Sequence, residues 1–180
     1  MRDHLLTARL LLRQWRADDR EPFARINADP RVMLHFPAPL SRAESDDLAD
    51  RIVAHFGVHG FGLFAVELRE TGQFAGYIGL LVPKFEAHFT PAVEIGWRLD
   101  ADLWNRGMAT EGAREVLRYA FEELRLPEIV SFTVPANLAS RRVMEKIGMA
   151  RDRAGDFDHP RLPEGHPLRR HVLYRKKAPA

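Results

Sequence analysis

The stretch Trp97-Arg98-Leu99-Asp100-Ala101-Asp102-Leu103-Trp104-Asn105-Arg106-Gly107-Met108-Ala109-Thr110-Glu111 decides how this chain reads. It runs from an apolar strand through a short polar turn and a Gly-containing loop into an amphipathic helix. Ala109, Ala113, Val116, Leu117, Ala120 and Leu124 recur at helical spacing, while Glu111, Arg114, Glu115, Arg118, Glu122 and Glu123 take the outer face. A helix that opens on Gly107-Met108-Ala109 directly after a strand aims unpaired backbone N–H groups at whatever lies above it. Small side chains there let an anion come close. Such a loop suits a pyrophosphate, so a nucleotide-like cofactor is the expected ligand. Two common nucleotide loops are excluded by spacing. No Gly-x4-Gly-Lys-Ser/Thr run occurs, and Gly57, Gly60 and Gly62 follow a helical pattern and precede a strand, as turn glycines do.

Composition narrows the remaining classes. A length of 180 residues suits one domain, taken here as 1–180, with a sizeable core. Basic residues number 27 against 25 acidic, a net charge of only +2, so no nucleic-acid partner is expected. The locally basic Arg169-Arg170 and Arg175-Lys176-Lys177 read as a solvated strand end. With no cysteine, disulfides, thiolate nucleophiles and Cys-based metal sites are out. His55 and His59 are four apart but lack the intervening Glu of a zinc helix, and Gly57 is expected to end the helix between them, so no metal is expected. There is no apolar signal stretch or membrane-length run, so the expectation is a cytoplasmic protein without a membrane partner.

Along the chain, residues 8–14 alternate as a strand, and Asp18 with Glu21, then Ser41 with Glu44, open helices near 18–28 and 41–56. Phe36-Pro37-Ala38-Pro39-Leu40 breaks either kind of ladder. Phe61–Leu68 and Gln73–Val82 flank Thr71-Gly72 as a hairpin, and Val93, Ile95, Trp97 and Leu99 alternate as a further strand. Helix 107–124, strand 129–134, helix 138–147 and a closing hairpin near 150–157 and 169–175 complete an α/β (α+β) mixed-sheet order.

Residues 104–109 resemble the acyl-CoA pyrophosphate loop of the GNAT N-acetyltransferase superfamily, usually Gln/Arg-x-x-Gly-x-Gly/Ala. Trp104 departs from that form in a way that looks like the RimJ/RimL branch, the ribosomal-protein N-terminal acetyltransferases and their relatives. A second motif, Asn137-Leu138-Ala139-Ser140-Arg141-Arg142-Val143-Met144-Glu145-Lys146-Ile147-Gly148-Met149, is similar to the Asn-x-x-Ser-x-Arg-Val-x-Glu-Lys-x-Gly segment of the same branch. The opening Thr7–Arg13 matches that branch too, so the likeness spans roughly residues 7–175. It implies a V-splayed mixed sheet flanked by helices, with acetyl-CoA as cosubstrate held between the strands at 93–99 and 129–134. A primary amine is the implied acceptor, either a protein N-terminus or a small amine. A homodimer through exposed strand edges is compatible with that reading.

Acetyl transfer from a thioester requires a positioned cofactor, a neutral amine, a stabilised oxyanion and a protonated leaving thiolate. The phosphates would sit on the backbone of Arg106, Gly107, Met108, Ala109 and Thr110, with Asn105 nearby. The resemblance places the pantetheine arm along Trp97, Arg98 and Leu99. Glu94 is the general-base candidate, with substrate anchoring or pairing to Arg98 as its other readings. Many relatives carry a Tyr acid four residues before the second-motif Gly. That place is Met144 here, which leaves Ser140 as the nearest hydroxyl, either acid or cofactor ligand. Asn137 is a helix cap or a pantetheine ligand, and Arg142 a phosphate contact or a solvated helix Arg. Phe36, His88, Phe89 and Trp97 could wall an acceptor pocket, and Asp156 and Asp158 could meet a cationic acceptor. The alternative function is a non-catalytic acyl-CoA-sensing module.

Overall fold

Alternating apolar residues in the first hundred positions build one continuous antiparallel ladder. The structure, a computed structural model, describes residues 2–179. Strands β1 (His4–Leu6), β2 (Leu10–Arg13), β3 (Leu63–Leu68), β4 (Phe74–Leu81) and β5 (Glu94–Leu99) pair in chain order. β6 (Glu128–Thr133) then runs parallel to β5, and β8 (Arg170–Lys177) lies between β6 and β7 (Ala150–Asp158). The order is β1-β2-β3-β4-β5-β6-β8-β7, a mixed sheet of eight strands.

Five helices flank it: α1 (Arg20–Ala28), α2 (Pro30–Met33), α3 (Arg42–His59), α4 (Met108–Arg118) and α5 (Leu138–Lys146). Ser41 and Glu44 form the expected capping box of α3. The helix runs through Gly57, however, and ends at Gly60, whose φ of 74° supplies the left-handed turn. Near 18–28 the expected box of Asp18 with Glu21 is not the one formed; the box runs from Arg16 to Asp19. Asp19, not Asp18, accepts the Arg16 N–H at 2.7 Å, and a 3-10 turn over Ala17–Asp19 precedes α1. The expected helix 107–124 is α4 followed by a π turn at Tyr119–Glu123. The expected strand 8–14 is the shorter β2, β1 precedes it outside that range, and Thr7 and Arg9 between the two bind Glu111 of α4. Among the described residues no helix is long and apolar enough to cross a membrane.

The sheet is covered on both faces. Ile78 and Ile95 are fully buried toward α4, and a Cβ on Gly112 would lie 2.5 Å from Ile78 Cδ1, so that helix sits tight on the strands. On the other face Phe23 of α1 meets Tyr77 edge-on with ring centres 6.0 Å apart. Side chains alternate along a strand and cross-strand partners share a face. Glu94, Gly96 and Arg98 therefore lie on the Tyr77 face, through the pairs Tyr77↔Arg98, Gly79↔Gly96 and Leu81↔Glu94.

The sheet opens between β5 and β6. Glu94↔Val130 is the sole ladder pair there, closed by Val130 N–H to Val93 C=O at 2.9 Å. The buried Ser131 hydroxyl donates to Ile95 C=O at 2.9 Å, and no pair follows. Asp100 N–H bonds Ala75 C=O, and hydrogen-bonded positions alternate in an antiparallel pair. Arg98 and Gly96 thus turn their backbone groups to β4, while Trp97 and Leu99 turn theirs into the gap.

One buried ion pair ties the first strands to α1. Arg13, 6 % exposed, makes a two-pronged contact with Asp19 at 2.8 Å on each prong and donates from Nε to Glu67 at 2.7 Å. Removing Asp19 would leave the buried Arg13 with Glu67 at Nε but without its two-pronged partner. Asp19→Ala is expected to cost about 3–5 kcal/mol in chemical denaturation. A loss below about 1 kcal/mol would mean that water reaches Arg13 and the pair is incidental.

Candidate active site

The cofactor loop is built by local hydrogen bonds that its sequence makes available. Trp104 is tied into the turn through its indole nitrogen. Its indole N–H donates to Leu99 C=O at 3.0 Å, closing the turn back onto the end of β5. Asn105 (φ 60°) and Gly107 (φ 76°) are both left-handed, which costs Asn about 1–2 kcal/mol and Gly little. The first bond inside α4 joins Glu111 N–H to Gly107 C=O at 3.0 Å, so the N–H groups of Met108, Ala109 and Thr110 have no acceptor in the helix. A Cβ on Gly107 would meet only Arg9 Nη2, at 3.6 Å, and otherwise stand in open space. Ala8, Arg9, Gly107, Thr110, Arg114 and Lys146 line the hollow beside it.

Arg9 straps this loop from the far end of the sequence. Its Nη1 donates to Arg106 C=O at 2.9 Å, and its Nε and Nη2 hold the Glu111 carboxylate at 2.7 and 2.6 Å. Thr7 Oγ1 adds a bond to Glu111 at 2.6 Å. Burial pushes Glu111 up, but the Thr7 hydroxyl with the Arg9 amide and guanidinium outweighs it and holds the carboxyl below its usual range. Neither Thr7 nor Arg9 is a site candidate from sequence. They stand about a hundred residues from the loop they brace, and no local spacing marks such a pairing.

Glu94 sits where the V begins. It is half-buried, and its carboxylate has no ion pair or hydrogen bond among the described residues. The pairing with Arg98 considered from sequence is not formed, since Arg98 Nη1 donates to Asn27 Oδ1 instead. Burial without a compensating cation raises the Glu94 carboxyl to about 8. Such a group is protonated in mildly acidic solution and becomes a base only as the medium turns alkaline.

The second motif folds as its caps dictate. Asn137 Oδ1 accepts Ser140 N–H at 3.1 Å, and Asn137 Nδ2 donates to Thr133 Oγ1 at 3.1 Å, so this side chain joins β6 to α5. Ser140 Oγ has no partner among the described residues and is partly exposed in the first turn of α5. Met144 is 1 % exposed, a core side chain. Arg142 is exposed, without an ion pair among the described residues.

The expected acceptor wall is divided. Phe36 lies over Arg98, with its ring centre 4.2 Å from the guanidinium carbon. Phe89 joins Phe85, Phe132 and Phe157 in an aromatic cluster that also holds His159 and His171, while His88 meets Phe89 edge-on. Desolvation, and then the neighbouring His171, lowers His159 to about 4, so it stays neutral. Trp97 belongs to the opposite face with Ile78. Asp156 is neutralised by Arg151 at 2.6 Å and Asp158 by Arg170 at 3.3 Å, so neither is free to receive a cation. His55 spends both ring nitrogens on backbone groups of Phe61 and Val82.

A splayed sheet, a helix start with open N–H groups and a half-buried carboxyl at the apex lie together in this fold. The acetyltransferase (GNAT) domain family matches residues 9–150. FsC-acetyl coenzyme A-N(2)-transacetylase of Aspergillus fumigatus is 38 % identical over 152 residues, covering 81 % of this chain and 64 % of that protein, so the chain spans about two thirds of that relative's length. The uncharacterized N-acetyltransferase YnaD of Bacillus subtilis is 32 % identical over 163 residues, 91 % of this chain and 90 % of the relative. The crystal structure of an acetyltransferase from Agrobacterium tumefaciens superposes with a TM-score of 0.77 at 30 % identity, covering 98 % of this chain and 95 % of that one. The chain belongs to the GNAT acetyltransferase family.

Glu94 supplies a stability test independent of activity. Its carboxyl titrates near 8 when folded and near its ordinary 4.5 when unfolded, so the folded state holds the proton more tightly. Stability is then lost as pH rises from about 4.5 through 8. Glu94→Gln cannot ionise, so its melting temperature should gain on the wild type steadily over that interval. Parallel melting curves across the interval would mean that Glu94 is solvated.

Proposed function

We propose that this chain is an acetyl-CoA-dependent N-acetyltransferase acting on a primary amine by direct attack, in the RimJ/RimL-like branch. The observation that carries the reading is the free β5 edge at Trp97 and Leu99, which ends beside the open N–H groups of Met108–Thr110 and begins at Glu94. Acetyl-CoA would supply the activated acyl group. The open N–H groups of Met108 to Thr110, with Arg114 and Lys146 and the Glu111-paired Arg9 lining the same hollow, would seat its phosphates. Trp97 and Leu99 extend their N–H and C=O groups as a strand would, and the Trp97 N–H is placed to donate to a carbonyl oxygen gaining charge.

Glu94 in its ionised form accepts the proton that the amine must lose as its nitrogen bonds to the acyl carbon and the carbon–sulfur bond breaks. Ser140 Oγ, without a partner among the described residues, can relay a proton to the departing sulfur while it takes one up from solvent water, a part that the buried Met144 cannot take. Asn137, Arg142 and Asn105 would serve as further cofactor contacts. The branch assignment rests on Trp104 and the Asn137–Gly148 motif. The name of the Aspergillus relative, an acetyl-coenzyme A transacetylase acting at a nitrogen, supports an amine acceptor. A purely sensing module would have no use for a desolvated carboxylate at the fork, which favours catalysis.

Thiol release and thermal shift test this directly. Acetyl-CoA and CoA are expected to raise the melting temperature by mass action, with NAD doing far less at equal concentration. Gly107→Val should abolish that shift, because its side chain stands among the backbone donors. Equal stabilisation by NAD would overturn the cofactor assignment. Glu94→Gln is expected to lower kcat by roughly 10²–10⁴. An unchanged kcat with a raised acceptor KM would reduce Glu94 to an anchor. Ser140→Ala should slow turnover about tenfold to a hundredfold with CoA Kd unchanged.

A further inference from the structure

Two arginines of this chain are buried, and they are treated differently. Arg13 has two carboxylates. Arg98, 7 % exposed, has none within ion-pair distance among the described residues. Its Nη1 donates to Asn27 Oδ1 at 2.5 Å, and its Nε is enclosed without any partner. Phe36 and Tyr77 face the guanidinium carbon at 4.2 and 5.6 Å, which offers π-face attraction in place of a counter-ion. A buried cation without an anion is costly, and folded chains rarely leave one so. The holder is itself rigid. Asn27 is fully buried and donates to the buried Ser45 hydroxyl at 2.8 Å, so Ser45, Asn27 and Arg98 form a fixed chain from α3 through α1 to β5.

Arg98 also stands in the right place. It shares its strand face with Glu94, four residues away, or about 13 Å along the strand at ~3.3 Å per residue. Between them lies Gly96, where an added Cβ would meet only Leu81 Cδ2 at 3.6 Å, so the floor from one charge to the other is open. Phe36 covers the Arg98 end. It is 37 % exposed, on the irregular segment between α2 and α3, so one face of its ring lies on Arg98 and the residue itself reaches solvent.

We propose that Arg98 is the anion-recognition residue of the acceptor cleft, and that the acceptor amine carries a carboxylate received by the Nε–Nη2 edge of its guanidinium. This rests on the acetyltransferase reading, and it names the substrate class as amino acids whose reacting amine and carboxylate are well separated along the molecule, as the spacing of Glu94 and Arg98 requires. With Nη1 committed to Asn27, the remaining edge is the two-donor fork that matches the two oxygens of a carboxylate. One negative charge balances one buried guanidinium, whereas a phosphate dianion would leave excess charge in an enclosed site. The amine end of the acceptor then lies toward Glu94, at the fork of the sheet.

The test uses matched pairs, amino acids of increasing chain length and their carboxamides, with wild type, Arg98→Gln and Arg98→Lys. Thiol release from acetyl-CoA should favour the acid over its amide by about tenfold to a hundredfold in kcat/KM, mainly through KM, as expected for charge-assisted hydrogen bonds. In Arg98→Gln the ratio should collapse toward one, while the CoA thermal shift persists. Arg98→Lys, which keeps the charge but not the fork, should restore part of the preference and remains usable if the Gln variant does not fold. Equal use of both pair members by the wild type would overturn the proposal. So would a Gln variant that slows both members alike, since that is the mark of a structural arginine. Titration with N-acetyl amino acids against N-acetyl amino amides reads Arg98 without turnover. A wild-type preference for the acids that Arg98→Gln abolishes supports the proposal, and equal binding overturns it. Absence of turnover on every amine would count against acetyl transfer alone, leaving this binding comparison to decide Arg98.

Discussion

The parting of β5 from β6 after a single ladder pair is the constraint on which the rest of the site depends. A parallel neighbour could in principle pair along the whole of β5, and the gap would vanish. Instead the Ser131 hydroxyl takes the Ile95 carbonyl that a further ladder step would need, and the strands part beyond it. The price of the V is a strand edge in the middle of the sheet, with backbone groups of Trp97 and Leu99 turned into the gap. An unpaired interior edge is a liability unless something fills it. In this chain the α4 loop delivers its own unsatisfied N–H groups to the end of the same gap, so one extended ligand can satisfy both.

Tethers at long range hold that arrangement. Arg9 and Thr7 fasten the start of α4 to the first strands, Trp104 closes the loop on Leu99, and Asn137 couples the end of β6 to α5. Each tether ties polar groups up within the fold. The face on which Glu94 and Arg98 lie has the opposite character. There a half-buried carboxyl and a buried guanidinium are left apart, one without a cation and the other without an anion among the described residues. Charges held in this way cost stability, and sites of binding and proton transfer are where such costs are retained.

The loop was legible in the sequence because its signals are local. Gly107, the small Ala109 and the periodic face of the following helix all lie within a few turns. Ser41 with Glu44, and Asn137 before Ser140, were legible for the same reason, since a cap is a contact over three residues. Gly57 misled because an exposed glycine inside a helix and a terminating glycine look alike in sequence, and the stop came at Gly60. Asp156 and Asp158 looked available because the arginines that neutralise them are not their sequence partners in any periodic sense. The Arg9–Glu111 and Asn27–Arg98 contacts join residues more than seventy positions apart, and only the folded sheet brings them together.

Amide hydrogen exchange on the backbone that faces the gap tests the central claim most directly. With CoA bound, the amides of Trp97 and Leu99 and those of Met108, Ala109 and Thr110 should slow together, while Gly96 and Arg98, already paired with β4, change little. Protection confined to other elements, or slowing of Gly96 and Arg98 without Trp97 and Leu99, would contradict the account of β5 as the strand on which the ligand is laid.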